Sequence, residues 1–138
     1  MGVSLQTLIN RRSVTLQGMS NARMRITDLE GKLNRLKTAS NTLNGQISEL
    51  NTIKSTIDKV QIDGNMWKGK EKSEFDTHYG QYKTNTQNYI TKTKSAKSDI
   101  DAEISRVQAD LTNARASLDN LTSTLESLNR QISQAEKE

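Results

Sequence analysis

Residues 26–57, ITDLEGKLNRLKTASNTLNGQISELNTIKSTI, decide the fold because their apolar positions recur with one regular spacing. Over this stretch the steps between apolar positions alternate between three and four residues, and only Ser40 and Lys54 interrupt them with polar side chains. This is the spacing of a helix that presents one apolar stripe, here called the seam, to another helix. The sequence therefore predicts a first helix over about residues 19–61.

The seam spacing also extends toward the N-terminus. Met19 and Ala22 continue the register upstream of residue 26. Three leucines favour a helix that begins still earlier: Leu5, Leu8 and Leu16. Gly18 opposes this because glycine lowers helix propensity. The sequence therefore leaves the conformation of residues 1–18 open, with a helix as one alternative.

The second half of the chain repeats the same spacing and predicts a second helix over about residues 71–136. One pair of four-residue steps, at Ala96, Ile100 and Ile104, breaks the alternation, and such a stutter locally unwinds a supercoil without ending the helix. The predicted seam positions are Phe75, Tyr79, Tyr82, Thr86, Tyr89, Thr93, Ala96, Ile100, Ile104, Val107, Leu111, Ala114, Leu118, Leu121, Leu125, Leu128, Ile132 and Ala135.

A breaker cluster near the midpoint predicts that the two helices fold back on each other. Residues 62–70, IDGNMWKGK, contain Asp-Gly-Asn and a second glycine, in a chain without proline. Residues 1–37 carry a net charge of +5 and residues 98–138 carry −4, so a fold at the midpoint places opposite charges side by side. The predicted fold is all-α, a single domain over residues 1–138 that forms a long antiparallel two-helix hairpin resembling a coiled coil.

The composition lacks the residues that most enzyme sites need. The chain has no cysteine and one histidine, His78, and apolar residues make up 32% of it. Asp99, Asp101 and Glu103 form an acidic cluster, but alternate residues on a helix point in different directions, so we expect a solvated face there rather than a metal site. We therefore expect no enzyme activity, no catalytic residue, no metal and no cofactor.

Charge and hydropathy also argue against nucleic-acid and membrane partners. The sequence pI is about 9.4, yet the net charge is only +4 and no basic stripe with interleaved aromatics is present. The densest basic group is Lys68, Lys70 and Lys72, for which solubility is a sufficient explanation. No apolar run exceeds three residues, so we expect no membrane insertion and no cleaved signal peptide.

The breaker cluster carries a motif with a family resemblance. Trp67-Lys68-Gly69 is followed, eight residues after the tryptophan, by Phe75. With helices predicted on both sides, this pattern resembles the WXG100 superfamily, small helical hairpins with Trp-x-Gly at the turn that are exported by the type VII secretion systems of Gram-positive bacteria. The longer helices look most like the YwqH-like accessory proteins of LXG-domain toxins. Trp67 is expected to close the end of the seam, and Gly69 to allow a tight connection into the second helix.

One part of the family pattern is missing. The secretion signal of the superfamily, Tyr-x-x-x-Asp/Glu after the second helix, does not occur: Tyr79, Tyr82 and Tyr89 are followed four residues later by Lys, Thr and Thr. The resemblance then implies either that a partner supplies the signal or that this protein is not itself exported. We expect it in the cytoplasm before export, and outside the cell if it is secreted together with its partner.

Two helices alone form a thin structure, so we expect a partner to complete a helical bundle. Opposite the seam, the first helix carries small residues and one methionine at seven-residue intervals, which form a tentative partner-binding face: Met24, Gly31, Thr38, Gly45 and Thr52. The alternative is that these are tolerated surface residues. By resemblance, the partners are an LXG-domain toxin, the type VII machinery and, in one version, a second small helical protein. Homo-oligomers also stay open.

Three functions remain at this stage. The leading interpretation is a targeting factor or chaperone that binds the helical LXG domain of a polymorphic toxin for type VII export. The alternatives are a structural coiled-coil tether and a self-exported WXG100-like effector.

Overall fold

The computed structural model describes residues 4–60 and 69–138. They form two long helices, α1 (Leu5–Asp58) and α2 (Lys70–Lys137), and no strand occurs within these two ranges. The predicted all-α hairpin is confirmed. The predicted turn falls mostly on residues 61–68, which lie outside the described ranges.

Helix α1 begins at Leu5, so the stretch that the sequence left open is helical from that residue. Ser4 caps this end: its hydroxyl accepts a hydrogen bond from the backbone N–H of Thr7 at 3.2 Å, and its carbonyl accepts one from the N–H of Leu8 at 3.1 Å. A side-chain cap of this kind satisfies an N–H that the helix itself cannot pair. The helix passes through Gly18 because a single glycine costs only about 1 kcal/mol.

The chain forms two compact units, of which the first combines Met1–Arg35 with Ile104–Glu138. This unit has an aliphatic core drawn from both helices: Leu8, Met19, Leu33, Val107, Leu111, Ala114, Leu128 and Ile132. The register reaches the N-terminus through Leu8 and Thr15, whereas Leu5 and Leu16 are exposed. Thr15 is tolerated in the core because its hydroxyl donates a hydrogen bond to the carbonyl of Arg11.

Contacts between the helices of the first unit show that they run antiparallel. As the residue number rises along α1, it falls along α2. Leu8 belongs to a buried cluster with Leu128 and Ile132, a Cβ on Gly18 would lie 3.4 Å from Leu121, and Glu30 pairs with Arg115 at 3.0 Å.

The second unit, Leu36–Glu103, has a much thinner apolar core. Among its described residues, only Ile57 and Ile90 are buried apolar side chains, and the buried positions Ser40 and Thr93 are polar. The hydroxyl of Thr93 is satisfied within its own helix by the carbonyl of Tyr89. The described residues of this unit therefore contribute fewer fully buried apolar side chains than those of the first unit.

The α2 seam in the second unit differs from the predicted one. Ile90 is 1% exposed, whereas Tyr89, which was predicted at the seam, is 67% exposed. Ala96 is also exposed, and Lys97 is half-buried in its place. From Ile90 onward the steps between seam positions therefore alternate between three and four residues, so the stutter does not occur at Ala96, Ile100 and Ile104, where it was predicted. Lys97 can occupy a seam position because its aliphatic stem packs while its ammonium reaches a carboxylate.

Candidate partner-binding surface

The start of α2 depends on the backbone conformation of Gly69. This glycine has φ +67°, and its carbonyl accepts a hydrogen bond from the N–H of Ser73 at 3.1 Å, which begins the helix. A Cβ at Gly69 would meet nothing within 4 Å, so the requirement for glycine comes from the left-handed φ and not from crowding. Trp67, the other half of the motif, lies outside the described residues.

Aromatic residues attach the first turns of α2 to the last turn of α1. Phe75 stacks on Tyr79 with ring centroids 5.5 Å apart, and the Tyr79 hydroxyl donates a hydrogen bond to the carbonyl of Ile57. The same carbonyl also accepts a hydrogen bond from the N–H of Val60 at 3.1 Å, just beyond the end of α1. The Lys83 ammonium lies 4.6 Å from the Tyr79 ring centroid and 3.8 Å from the Asp58 carboxylate. Phe75 therefore belongs to a group that fixes where α2 starts.

A polar contact links the helices in the middle of the second unit. Ser40 donates a 2.6 Å hydrogen bond to Asp101, whose other carboxylate oxygen accepts one from Lys97 at 2.7 Å. Hydrogen bonding from Lys97 and then from Ser40 lowers the pKa of Asp101 below its ordinary value. The acidic cluster was expected to be a solvated face; Asp99 is exposed as expected, whereas Asp101 and Glu103 are half-buried. Groups of side chains that could hold a metal ion are absent from the described residues.

The tentative partner-binding face lies on the solvent side of α1. In the first unit, Met24 is 63% exposed, and Gly31 is half-buried because the Arg35 guanidinium lies close to it. In the second unit, the remaining members are exposed: Thr38, Gly45 and Thr52. A Cβ at Gly45 would meet nothing within 4 Å, so the backbone there is open to an approaching partner.

Sequence reasoning missed an aromatic groove in the second unit. It has a volume of about 280 Å³ and is lined by Leu50, Tyr82, Asn85, Thr86 and Tyr89. Tyr82 and Tyr89 were predicted at the seam, but they are 58% and 67% exposed. The sequence does contain a signal for this register. Alternating steps of three and four residues, counted back from Val107, reach Ile90 and not Tyr89.

A second groove, here called the α1 groove, lies in the first unit. It has a volume of about 460 Å³, and all its lining residues belong to α1: Asn21, Met24, Arg25, Asp28, Leu29, Lys32 and Arg35. The sequence prediction included only Met24 from this set.

A comparison with protein families identifies the family of this chain. The family model described as YwqH-like matches residues 10–130, which cover most of both helices and the segment between them. The chain belongs to the YwqH-like family. No curated protein and no solved structure matches it.

Membership in the YwqH-like family is consistent with a small accessory protein. Within the described residues, neither helix of this YwqH-like chain is apolar enough over a sufficient length to cross a membrane. Three surfaces of the described helices have now been located: the outer face of α1, the α1 groove and the tyrosine-lined groove.

Proposed function

We propose that this YwqH-like protein is a type VII secretion accessory protein that binds the helical LXG domain of a polymorphic toxin. In this role it acts as a targeting factor or chaperone for export. The observation that carries the proposal is the family match over residues 10–130. The sequence resemblance described above links YwqH-like proteins to LXG-domain toxins as their accessory proteins. The toxin supplies the export signal that this chain lacks.

The distribution of apolar surface supports a binding role. Among its described residues, the second unit buries few apolar side chains and exposes Tyr82 and Tyr89 beside Leu50. Tyrosine is enriched at the centres of protein interfaces, where its ring supplies contact area and its hydroxyl a hydrogen bond. A partner helix that covers these rings would provide the apolar burial that the two helices of this unit do not provide for each other.

The outer face of α1 is proposed as the surface that the LXG domain contacts. Replacing Gly31 and Gly45 by glutamine would block close approach of a partner backbone, while the seam stays intact. The matched control is Gly80→Gln on α2, where a Cβ meets nothing within 4 Å, as at Gly45. Glutamine has the higher helix propensity, so both variants should be at least as helical as the wild type.

The test is co-expression of the full chain with the LXG domain of a toxin encoded beside it, followed by size-exclusion chromatography with light scattering. The proposal expects one stable complex with the wild type and with Gly80→Gln, and loss of the complex with Gly31→Gln/Gly45→Gln. Equal binding by all three proteins would remove the outer face from the interface. A wild-type chain that binds no LXG domain would favour the tether, and export in a strain without the toxin would favour the self-exported effector.

A further inference from the structure

The α1 groove combines exposed apolar surface with positive charge. Met24 is 63% exposed at the groove, and Leu29, a half-buried seam residue, also lines it. Between them the lining includes three cations, Arg25, Lys32 and Arg35, against one carboxylate, Asp28. Because every lining residue comes from α1, the groove is a feature of the surface of that helix.

Two of these cations are not neutralised within the described part of the chain. Neither Arg25 nor Arg35 forms an ion pair with a described residue. The first unit carries ten Lys and Arg against seven Asp and Glu, and only two of these carboxylates, Asp28 and Glu30, belong to its α1 part. One of the two, Glu30, is already engaged by Arg115 of α2 at 3.0 Å. The groove thus keeps a local excess of positive charge.

We propose that the α1 groove binds an acidic amphipathic helix of the partner, an inference that rests on the proposed function and specifies the chemistry of the LXG segment recognised. The apolar stripe of that helix lies on Met24, and its flanking carboxylates pair with the guanidinium groups of Arg25 and Arg35. These two arginines are ten residues apart, about 15 Å along α1, so carboxylates two to three turns apart on the bound helix can reach both. Planar guanidinium groups suit paired recognition of carboxylates.

An acidic helix fits the groove better than a nucleic-acid backbone does. Phosphate recognition uses cations and gains little from an exposed methionine, whereas an amphipathic helix buries Met24. Acidic charge on the partner also gives specificity, since a basic helix would meet like charge at Arg25 and Arg35.

The experiment uses the full chain and three labelled probes: a synthetic helical peptide with a leucine stripe flanked by glutamates, the same peptide with lysines in place of the glutamates, and a short DNA duplex. Binding is measured by fluorescence anisotropy at two salt concentrations. The test variant is Arg25→Glu/Arg35→Glu. The control is Lys94→Glu/Arg130→Glu, which changes net charge equally at exposed α2 positions. Circular dichroism confirms that both variants remain helical.

The proposal expects the acidic peptide to bind the wild type and the control, and to bind the test variant at least about tenfold more weakly. The basic peptide should not bind. Met24→Gln should weaken binding of the acidic peptide without changing its salt dependence, because it removes apolar contact and no charge. An acidic peptide that does not bind the wild type, equal losses in the test and control variants, or tighter binding of the duplex would overturn the proposal.

The LXG domain of the neighbouring toxin, added as a fourth probe, separates this inference from the proposed function. If that domain binds the wild type and Arg25→Glu/Arg35→Glu equally, the groove proposal is wrong and the accessory function stands. If it does not bind the wild type, the accessory function is wrong, and the peptide results alone decide whether the groove recognises acidic helices.

Discussion

Alanine substitutions at two adjacent residues, Tyr89 and Ile90, test the register of α2 directly. The spacing of apolar residues predicts Tyr89 at the seam, whereas the structure buries Ile90 to 1% exposure and leaves Tyr89 67% exposed. The perturbation is truncation of each residue to alanine in separate variants. Because the two residues are neighbours on one helix, differences in helix propensity affect both variants similarly.

The size of the effect follows from what each substitution removes. Ile90→Ala deletes three buried carbon groups, worth about 0.8 kcal/mol each by transfer, or about 2.4 kcal/mol. The cavity left behind adds to this, so we expect a loss of about 3 kcal/mol in the free energy of unfolding. Tyr89→Ala removes a ring that is mostly in solvent, and its effect should stay within about 1 kcal/mol.

The assay is urea denaturation followed by far-ultraviolet circular dichroism. With a denaturant slope of about 1–3 kcal/mol per molar, Ile90→Ala should lower the urea midpoint by about 1–3 M, and Tyr89→Ala should change it by less than about 1 M. A larger shift for Tyr89→Ala than for Ile90→Ala would show that the helix is rotated from the described register. The described seam in the second unit would then be wrong.

Further variants test the features that fix the helix ends and the contact between the helices. Gly69→Ala should lower the free energy of unfolding by about 1–2 kcal/mol because of the left-handed φ. Its control, Gly80→Ala inside α2, should instead raise it by about 0.5–1 kcal/mol. Melting temperatures that shift in the same direction for both variants would contradict this. The pKa of Asp101 is lower in the folded chain than in the unfolded chain, so its contribution to stability is present above the unfolded pKa and is lost as the pH falls through the folded pKa. Asp101→Asn should therefore lose less stability than the wild type between about pH 6 and pH 3, and parallel losses in urea titrations would show that Asp101 makes no such contribution. Leu121→Asp should unfold the first unit locally, since it places a carboxylate at the seam beside Gly18; unchanged hydrogen exchange there would show that the seam is misassigned.

The helices could be predicted from sequence because their signal is repeated many times. A seam of alternating steps contains more than ten independent positions, so isolated polar residues such as Ser40 do not hide it. The start of α1 was harder to predict because it depends on one capping hydroxyl, that of Ser4. Gly18 in the same stretch argues against a helix by propensity alone.

The α2 register was mispredicted where apolar residues are adjacent or sparse. Tyr89 and Ile90 are both apolar by composition, and the choice between them depends on which one the facing helix can bury. Similarly, hydropathy predicts Lys97 at the surface, whereas in the structure it donates a hydrogen bond to Asp101, which also accepts one from Ser40. Single-residue hydropathy cannot express such a contact, because the seam position of Lys97 depends on a partner in three dimensions.

The surfaces proposed to bind a partner were the hardest features to predict from the sequence. The small residues on the outer face of α1 follow from heptad spacing, so the sequence could propose Gly31 and Gly45. The α1 groove could not be proposed in this way, since it requires knowing that Glu30 pairs with Arg115, whereas Arg25 and Arg35 form no ion pair with a described residue. The tyrosine-lined groove could not be predicted either, because it depends on Ile90, and not Tyr89, occupying the seam.

The most direct test of the central claim, that this chain is a partner-binding accessory protein, is the mass in solution of the full chain co-purified with the LXG domain encoded beside it. Size-exclusion chromatography with light scattering measures that mass without any label or variant. The account predicts a single species whose mass contains both chains, stable on dilution to micromolar concentration. Two separate peaks, with this chain eluting alone and the LXG domain eluting alone, would contradict it.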